Sequence, residues 1–188
     1  MSTFLSKIQE TYGYSNYEMA VIKYSLTALF SELSKIIILG GLFLSIGKFD
    51  LFLAAATMLA LLRLNNGGYH CNHYITCLLF SGIVLYTAIV LLPLINIPNF
   101  SIVLIALTVC LFINYYIGPI PSPFRPEPNS LLIKQCKNKC FIIIFCFIII
   151  VSIFNSNTIM RPYLIVGFWI TILHTLQLII AKIQRKGE

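Results

Sequence analysis

Long apolar runs constrain this chain more than any other feature. Residues 25–46, 50–64, 75–95, 100–118, 140–155 and 163–182 are each nearly free of charge. A helix that crosses a bilayer needs about 20 mostly apolar residues, and in lipid every backbone polar group must be paired within the chain. Six such runs predict an all-α polytopic membrane protein, a single unit over residues 1–188. Composition agrees, with 59% hydrophobic and 10% charged residues and a mean hydropathy of +0.90. A soluble domain carries far more charge, and a disordered chain far less apolar surface. Spans and short loops use up 188 residues, so any chemistry is expected at the membrane itself. The second and fifth runs are short, and are expected to tilt or to extend into their flanks.

Residues 1–24 precede the first run. They carry Lys7, Glu10, Glu18 and Lys23 and no apolar core, so a secretory signal peptide is not expected. Phe4, Ile8 and Tyr12 recur every four residues, and Met19 and Ile22 continue the stripe. That spacing predicts an amphipathic helix on the membrane surface, open to a break at Gly13. A helix packed on a partner would show the same stripe.

Basic residues set the expected orientation. With the N-terminus in the cytoplasm and six crossings, Lys7, Lys23, Arg63, Arg125, Lys134, Lys137, Lys139, Lys182, Arg185 and Lys186 fall inside. Lys48 and Arg161 fall outside, and Lys35 lies within a span. Ten against two is a strong positive-inside bias, and an even number of spans places both termini in the cytoplasm. The net charge of +7 therefore points to orientation and to anionic lipid or substrate, and no nucleic-acid partner is expected. The longest loop, residues 118–139, reads GPIPSPFRPEPNSLLIKQCKNK, proline-rich and then basic. The orientation bias is enough to explain its charges; a docking surface for an acidic peptide or for lipid headgroups is the functional alternative. No internal repeat supports an inverted-repeat transporter.

The six cysteines are Cys71, Cys77, Cys110, Cys136, Cys140 and Cys146, all placed in spans or inside, where thiols stay reduced. Cys110 and Cys146 sit in apolar runs and read as small core hydrophobes. Cys136 and Cys140 flank lysines and read as reactive or simply exposed. The concentrated signal is residues 63–77, RLNNGGYHCNHYITC, which fill the loop after the second run and enter the third. Gly67 and Gly68 allow a sharp turn or close approach of a substrate backbone. His70 and Cys77 are seven residues apart, about 10.5 Å on one continuous helix, so cooperation requires the chain to fold back between them. With the third helix starting near His73, Cys77 lies in or just beyond its first turn, near the positive end of the helix dipole. Arg63 and His70 would add positive charge. These conditions favour a nucleophilic thiolate, with His70 as base and then as acid to the leaving amine.

Two other readings stand beside this one. His70, Cys71, His73 and Cys77 together could hold a metal, although the spacing is not that of a usual zinc site, and no metal or other cofactor is expected. Alternatively, these residues simply fall at the membrane interface, where they are tolerated. Glu32 and Lys35 are three apart on one face of the first span, and ionisable groups inside a membrane are functional candidates. Glu32 could orient His70, or the two could neutralise each other facing the interior; Glu18 is a second candidate acid. A small transporter or channel using Glu32 and Lys35 is the alternative function. His174 in the last run reads as packed against a polar neighbour.

The arrangement R-x-x-x-G-G-Y-H with a cysteine seven residues after the histidine resembles the AgrB (accessory gene regulator protein B) family. These are membrane cysteine endopeptidases of Gram-positive quorum sensing. The likeness extends over the amphipathic start, the span with Glu32 and Lys35, the motif loop and the proline-rich loop ending in lysines. Beyond about residue 140 it is only generic apolar spans. The resemblance implies that Cys77 is the nucleophile and His70 its partner, with Arg63 and Gly68 supporting substrate or loop geometry. It implies a bacterial cell-membrane location and an AgrD-like precursor peptide with an amphipathic leader and an acidic tail. The tail would leave through an acyl-enzyme thioester, and an internal cysteine or serine would then close a thiolactone or lactone. A homodimer is expected from the resemblance alone.

Overall fold

The computed structural model describes residues 9, 11–68, 73–95, 99–120 and 128–186. Six helical segments long and apolar enough to cross a membrane run through them: α1 (Asn16–Ser45), α2 (Phe49–Asn66), α3 (Tyr74–Tyr86, prolonged by irregular helical turns to Leu94), α4 (Phe100–Ile117), α5 (Ser130–Phe154) and α6 (Arg161–Lys186). The chain is thus a multi-pass, all-helical membrane protein, as the apolar runs predict.

Local chemistry sets the boundaries. Gly13 takes φ +66°, and the Ser15 and Glu18 side chains cap each other's backbone amides, so α1 starts at Asn16. Residues 16–24, expected in a surface helix, are therefore the first turns of α1, and Glu18 serves as a cap. Most of the expected surface helix lies outside the described residues. Asn99 accepts from Ser101 N to open α4, and Asn129 accepts from Leu132 N to open α5. Because Asn129 caps there, residues 130–139 are helix rather than loop. The short fifth run thereby becomes a 25-residue helix whose first turns carry Lys134, Lys137 and Lys139. Residues 121–127 of the proline-rich segment lie outside the described residues. At the end of α3, Pro93 offers no amide and the helix leaves regular α geometry. It passes through a π turn (Thr87–Leu91) and a 3₁₀ turn (Leu92–Leu94).

The α6 helix is the centre of the bundle. Val166, Phe168, Ile170, Thr171, His174, Thr175, Gln177 and Leu178 are all buried, and α6 packs on α2 and α4. The main core joins Phe43, Phe52, Leu59, Leu62, Ile89, Ile144 and Ile170. Outward positions are equally apolar: Ile37, Leu79, Ile83 and Ile105 are exposed. That surface suits lipid and not water. Alternating crossings gather the α2–α3 turn, the end of α4 and the start of α5 at one end of the bundle. At the other end, Tyr163 Oη donates to Asp50 Oδ2 at 2.8 Å, and Lys48 and Arg161 line one cavity.

Cysteine positions follow helix rotation. Cys110 and Cys140 are buried, and Cys146 is exposed on the outer face of α5. Cys110 behaves as expected from its apolar run. Cys146 is not the core residue its run implies, and Cys140, beside Lys139, is enclosed rather than exposed. A run that is apolar all round does not say which side faces protein.

Candidate functional site

Cys77 belongs to the opening of α3. The helix is preceded by His73 in extended conformation, and the Cys77 amide makes an early helical bond to His73 O at 3.1 Å. The thiol is half-buried and accepts from Lys35 Nζ at 3.3 Å, across from α1. Lys35 Nζ also donates to Glu32 Oε1 at 2.6 Å. Lys35 is buried while Glu32 is about half exposed, so the acid lies at the rim and the ammonium lies within. Nearby, Ser34 Oγ and Tyr74 Oη are 2.8 Å apart and hold α1 against the start of α3. The helix start expected near His73 is observed, and it puts Cys77 on the first turn.

Glu32 and Lys35 thus pair, as one of the two sequence readings has it. The pair does more than neutralise itself, because Lys35 reaches the sulfur. The expected orientation of His70 by Glu32, and half of the four groups needed for a metal, fall on His70 and Cys71, which lie outside the described residues.

The end of α2 is fixed by glycine geometry and a polar cluster. Gly67 closes the helix, its amide bonded to Arg63 O at 2.8 Å, and takes φ +71°. It lies in a parallel bridge with Ile120, whose amide donates to Asn66 O at 2.9 Å. A Cβ on Gly67 would run into the Ile120 carbonyl. The requirement for glycine here is therefore close approach of two backbones as well as φ. The bridge joins the motif turn to the start of the proline-rich segment. Below it, His174 Nε2 lies 3.1 Å from Gly67 O, and since a carbonyl only accepts, the ring proton sits on Nε2. His174 is fully buried against this polar neighbour, as expected from the sequence.

Arg63 spans three helices. It donates to Ser81 Oγ on α3 at 3.4 Å and to Gln177 Oε1 on α6 at 3.1 Å. Its observed role is to brace α2 against α3 and α6, while the charge that reaches the Cys77 sulfur is that of Lys35. A second brace runs from Asn66 Nδ2 to Asn114 Oδ1 at 2.8 Å, and from Asn114 Nδ2 to Thr175 Oγ1 at 2.7 Å. Ser81, Asn114, Thr175 and Gln177 belong to no motif, and the loop-centred pattern passes them over. The legible signal was polar residues recurring at 171, 174, 175 and 177 along one side of an otherwise apolar run.

Stability of the turn is expected to depend on this brace. Asn114→Leu removes a donor and an acceptor in a buried cluster and strands Asn66, which should cost about 1–3 kcal/mol. Exposed Asn138→Ala should stay within about 0.5 kcal/mol. Thermal unfolding of the two variants in one detergent compares them; equal shifts would remove the brace from the account.

The family model for accessory gene regulator B matches residues 1–179. A Clostridium beijerinckii protein described as AgrB-like is 34% identical over 167 residues, which covers 76% of this chain and 81% of that protein. No solved structure matches the chain significantly. With six apolar helices, a thiol at the head of the third and a family match over nearly its whole length, this chain belongs to the AgrB family.

Proposed function

We propose that the chain is a membrane-embedded cysteine endopeptidase that removes the C-terminal tail of an AgrD-like precursor peptide. Family membership suggests a role in agr quorum-sensing peptide processing, and the finer reading rests on Cys77. The observation that carries it is a half-buried thiol on the first turn of α3, bonded to a buried ammonium from another helix. His70 takes the thiol proton, and Sγ attacks the scissile carbonyl. The C–N bond breaks and the leaving amine receives the proton from His70. The leader and signal sequence remain on Cys77 as a thioester. An internal cysteine or serine of the peptide then attacks that carbonyl, displaces Sγ and closes the ring. A thioester retains enough free energy for this exchange, whereas direct hydrolysis of the peptide bond would forfeit the ring. Arg63, Gly67 and Gly68 shape the turn that receives the substrate.

The basic start of α5 supports an acidic tail as cargo. Lys134 and Lys139 are exposed, and Lys137 Nζ sits 4.6 Å over the Tyr115 ring. Co-expression with a precursor peptide carrying an acidic tail tests the reading. Release of the tail, with a covalent intermediate on Cys77 captured by mass spectrometry, is the expected result. A released tail with the adduct on another residue would overturn the assignment.

The same reading places both termini and the motif loop in the cytoplasm of a bacterial cell. An impermeant thiol reagent added to intact cells should label an introduced Ser156→Cys, on the turn between α5 and α6, and leave Cys136 unlabelled. The reverse pattern would invert the orientation.

A further inference from the structure

Lys35 is, among the described residues, the charged side chain most withdrawn from the surface, at 4% exposure. A buried ammonium must be compensated by its partners, and here the partners are Glu32 and the Cys77 sulfur. Glu32 lies one turn away on the same helix, and at 54% side-chain exposure it is partly served by solvent. The sulfur is 42 residues away on another helix, so its contact is a product of the fold, not of local chain geometry. A neutral thiol is a weak acceptor and compensates a buried cation poorly; a thiolate compensates it fully. Close packing keeps the two helices in this register. Leu39 lies against the Gly82 backbone, where an added Cβ would come within 3.3 Å, and Ser34 bonds Tyr74. Other charged or titratable groups around the sulfur's helix are Tyr74 and His73 at its start, and Arg63, which is engaged with Ser81 and Gln177. His70 lies in the adjoining segment, outside the described residues.

We infer that Lys35 is a catalytic residue of this site, whose ammonium steadies the Cys77 sulfur as a thiolate both before attack and when it leaves at ring closure. The inference rests on Cys77 being the nucleophile. In the first step the thiol proton passes to His70, and Lys35 stays protonated and faces the thiolate. The Sγ–C bond forms, the C–N pair departs with the amine, and the proton on His70 follows it. Sulfur is now uncharged in the thioester, and Lys35 is left to Glu32. When the internal thiol or hydroxyl of the peptide attacks, its proton returns to His70, the C–Sγ bond breaks, and the electron pair goes back to sulfur beside Lys35. A stabilised leaving thiolate departs faster, so one ammonium assists both halves of the exchange.

Alkylation of Cys77 by iodoacetamide tests this without any peptide substrate. Full-length protein in detergent is treated over a pH range from about 6 to about 10, and Cys77 modification is followed by peptide mapping. Lys35→Gln keeps N–H donors for Glu32 and the sulfur but loses the charge. It is expected to lower the pH 7 rate about tenfold, with the gap closing toward pH 10 as the thiol ionises unaided. Lys35→Arg, which keeps the charge, should stay within about threefold. An unchanged pH 7 rate in Lys35→Gln overturns the inference. So does a loss that is constant across pH, or one shared equally by Lys35→Arg, because packing damage would produce either. Failure of the underlying reading looks different: Cys77→Ala would still release the tail, whatever the alkylation rates.

Discussion

Cys77→Ala is expected to abolish tail release, a loss of about four orders of magnitude or more, while the protein still folds and inserts. In the proposed mechanism the sulfur is the only reacting atom the substitution removes, and it contributes little to the core because Cys77 is half-buried. Substitution by the other described thiols is sterically remote. Cys110 and Cys140 are enclosed, Cys146 is on the outer face of α5, and Cys136 lies in the basic first turns of α5. Cys71→Ala, tested beside it, should retain cleavage. On the same proposal His70→Ala should lose nearly as much as Cys77→Ala, because a nucleophile and its base act as a unit and their losses do not add. The measurement is the ratio of tail to intact precursor in membranes at matched protein levels. Cleavage that survives Cys77→Ala and disappears in Cys71→Ala would move the nucleophile to Cys71.

Gly67→Ala should have the next largest effect, and by a different route. At φ +71° the backbone conformation alone costs an alanine about 1–3 kcal/mol. The added methyl would also be driven into the Ile120 carbonyl. Neither side yields easily: Gly67 O is held by His174, and the Ile120 amide is held by Asn66 O. The bridge between the motif turn and the proline-rich segment should therefore open. Tail release should fall at least about a hundredfold, since an ångström-scale misplacement of catalytic groups has that effect. Gly41→Ala is the control. Its added Cβ meets nothing within 4 Å. Inside α1, one turn from its C-terminal end, it should be neutral or stabilising by about 0.5–1 kcal/mol. If Gly67→Ala cleaves like the unsubstituted protein, the turn is not part of the site.

The six spans were legible because a bilayer-crossing helix declares itself by length and apolarity within one continuous segment. Its ends were harder. The first span was read from residue 25 and begins at Asn16, since the Ser15–Glu18 capping box outweighs the polar character of the residues after it. The fifth was read from residue 140 and begins at Ser130, since Asn129 caps a helix that carries its lysines on the way into the bundle. Polar residues in a helix that leaves the membrane look like loop to a hydropathy criterion.

At the site, the sequence by itself determined the all-helical membrane class, the position of Cys77 at the head of the third helix and the placement of Glu32 and Lys35 on one face of the first span. Each of these depends on residues a few positions apart, where helix geometry or apolar run length is enough. Tertiary structure alone decided that Lys35 meets the Cys77 sulfur, that Arg63 is drawn to Ser81 and Gln177, and that Gly67 lies against Ile120. It also turned Cys146 outward and Cys140 inward. These outcomes depend on how each helix is rotated about its axis and which neighbour it meets. In a chain that is apolar on every face, no local periodicity encodes that rotation. It is set by close packing and by the few buried polar groups that must find one another across helices.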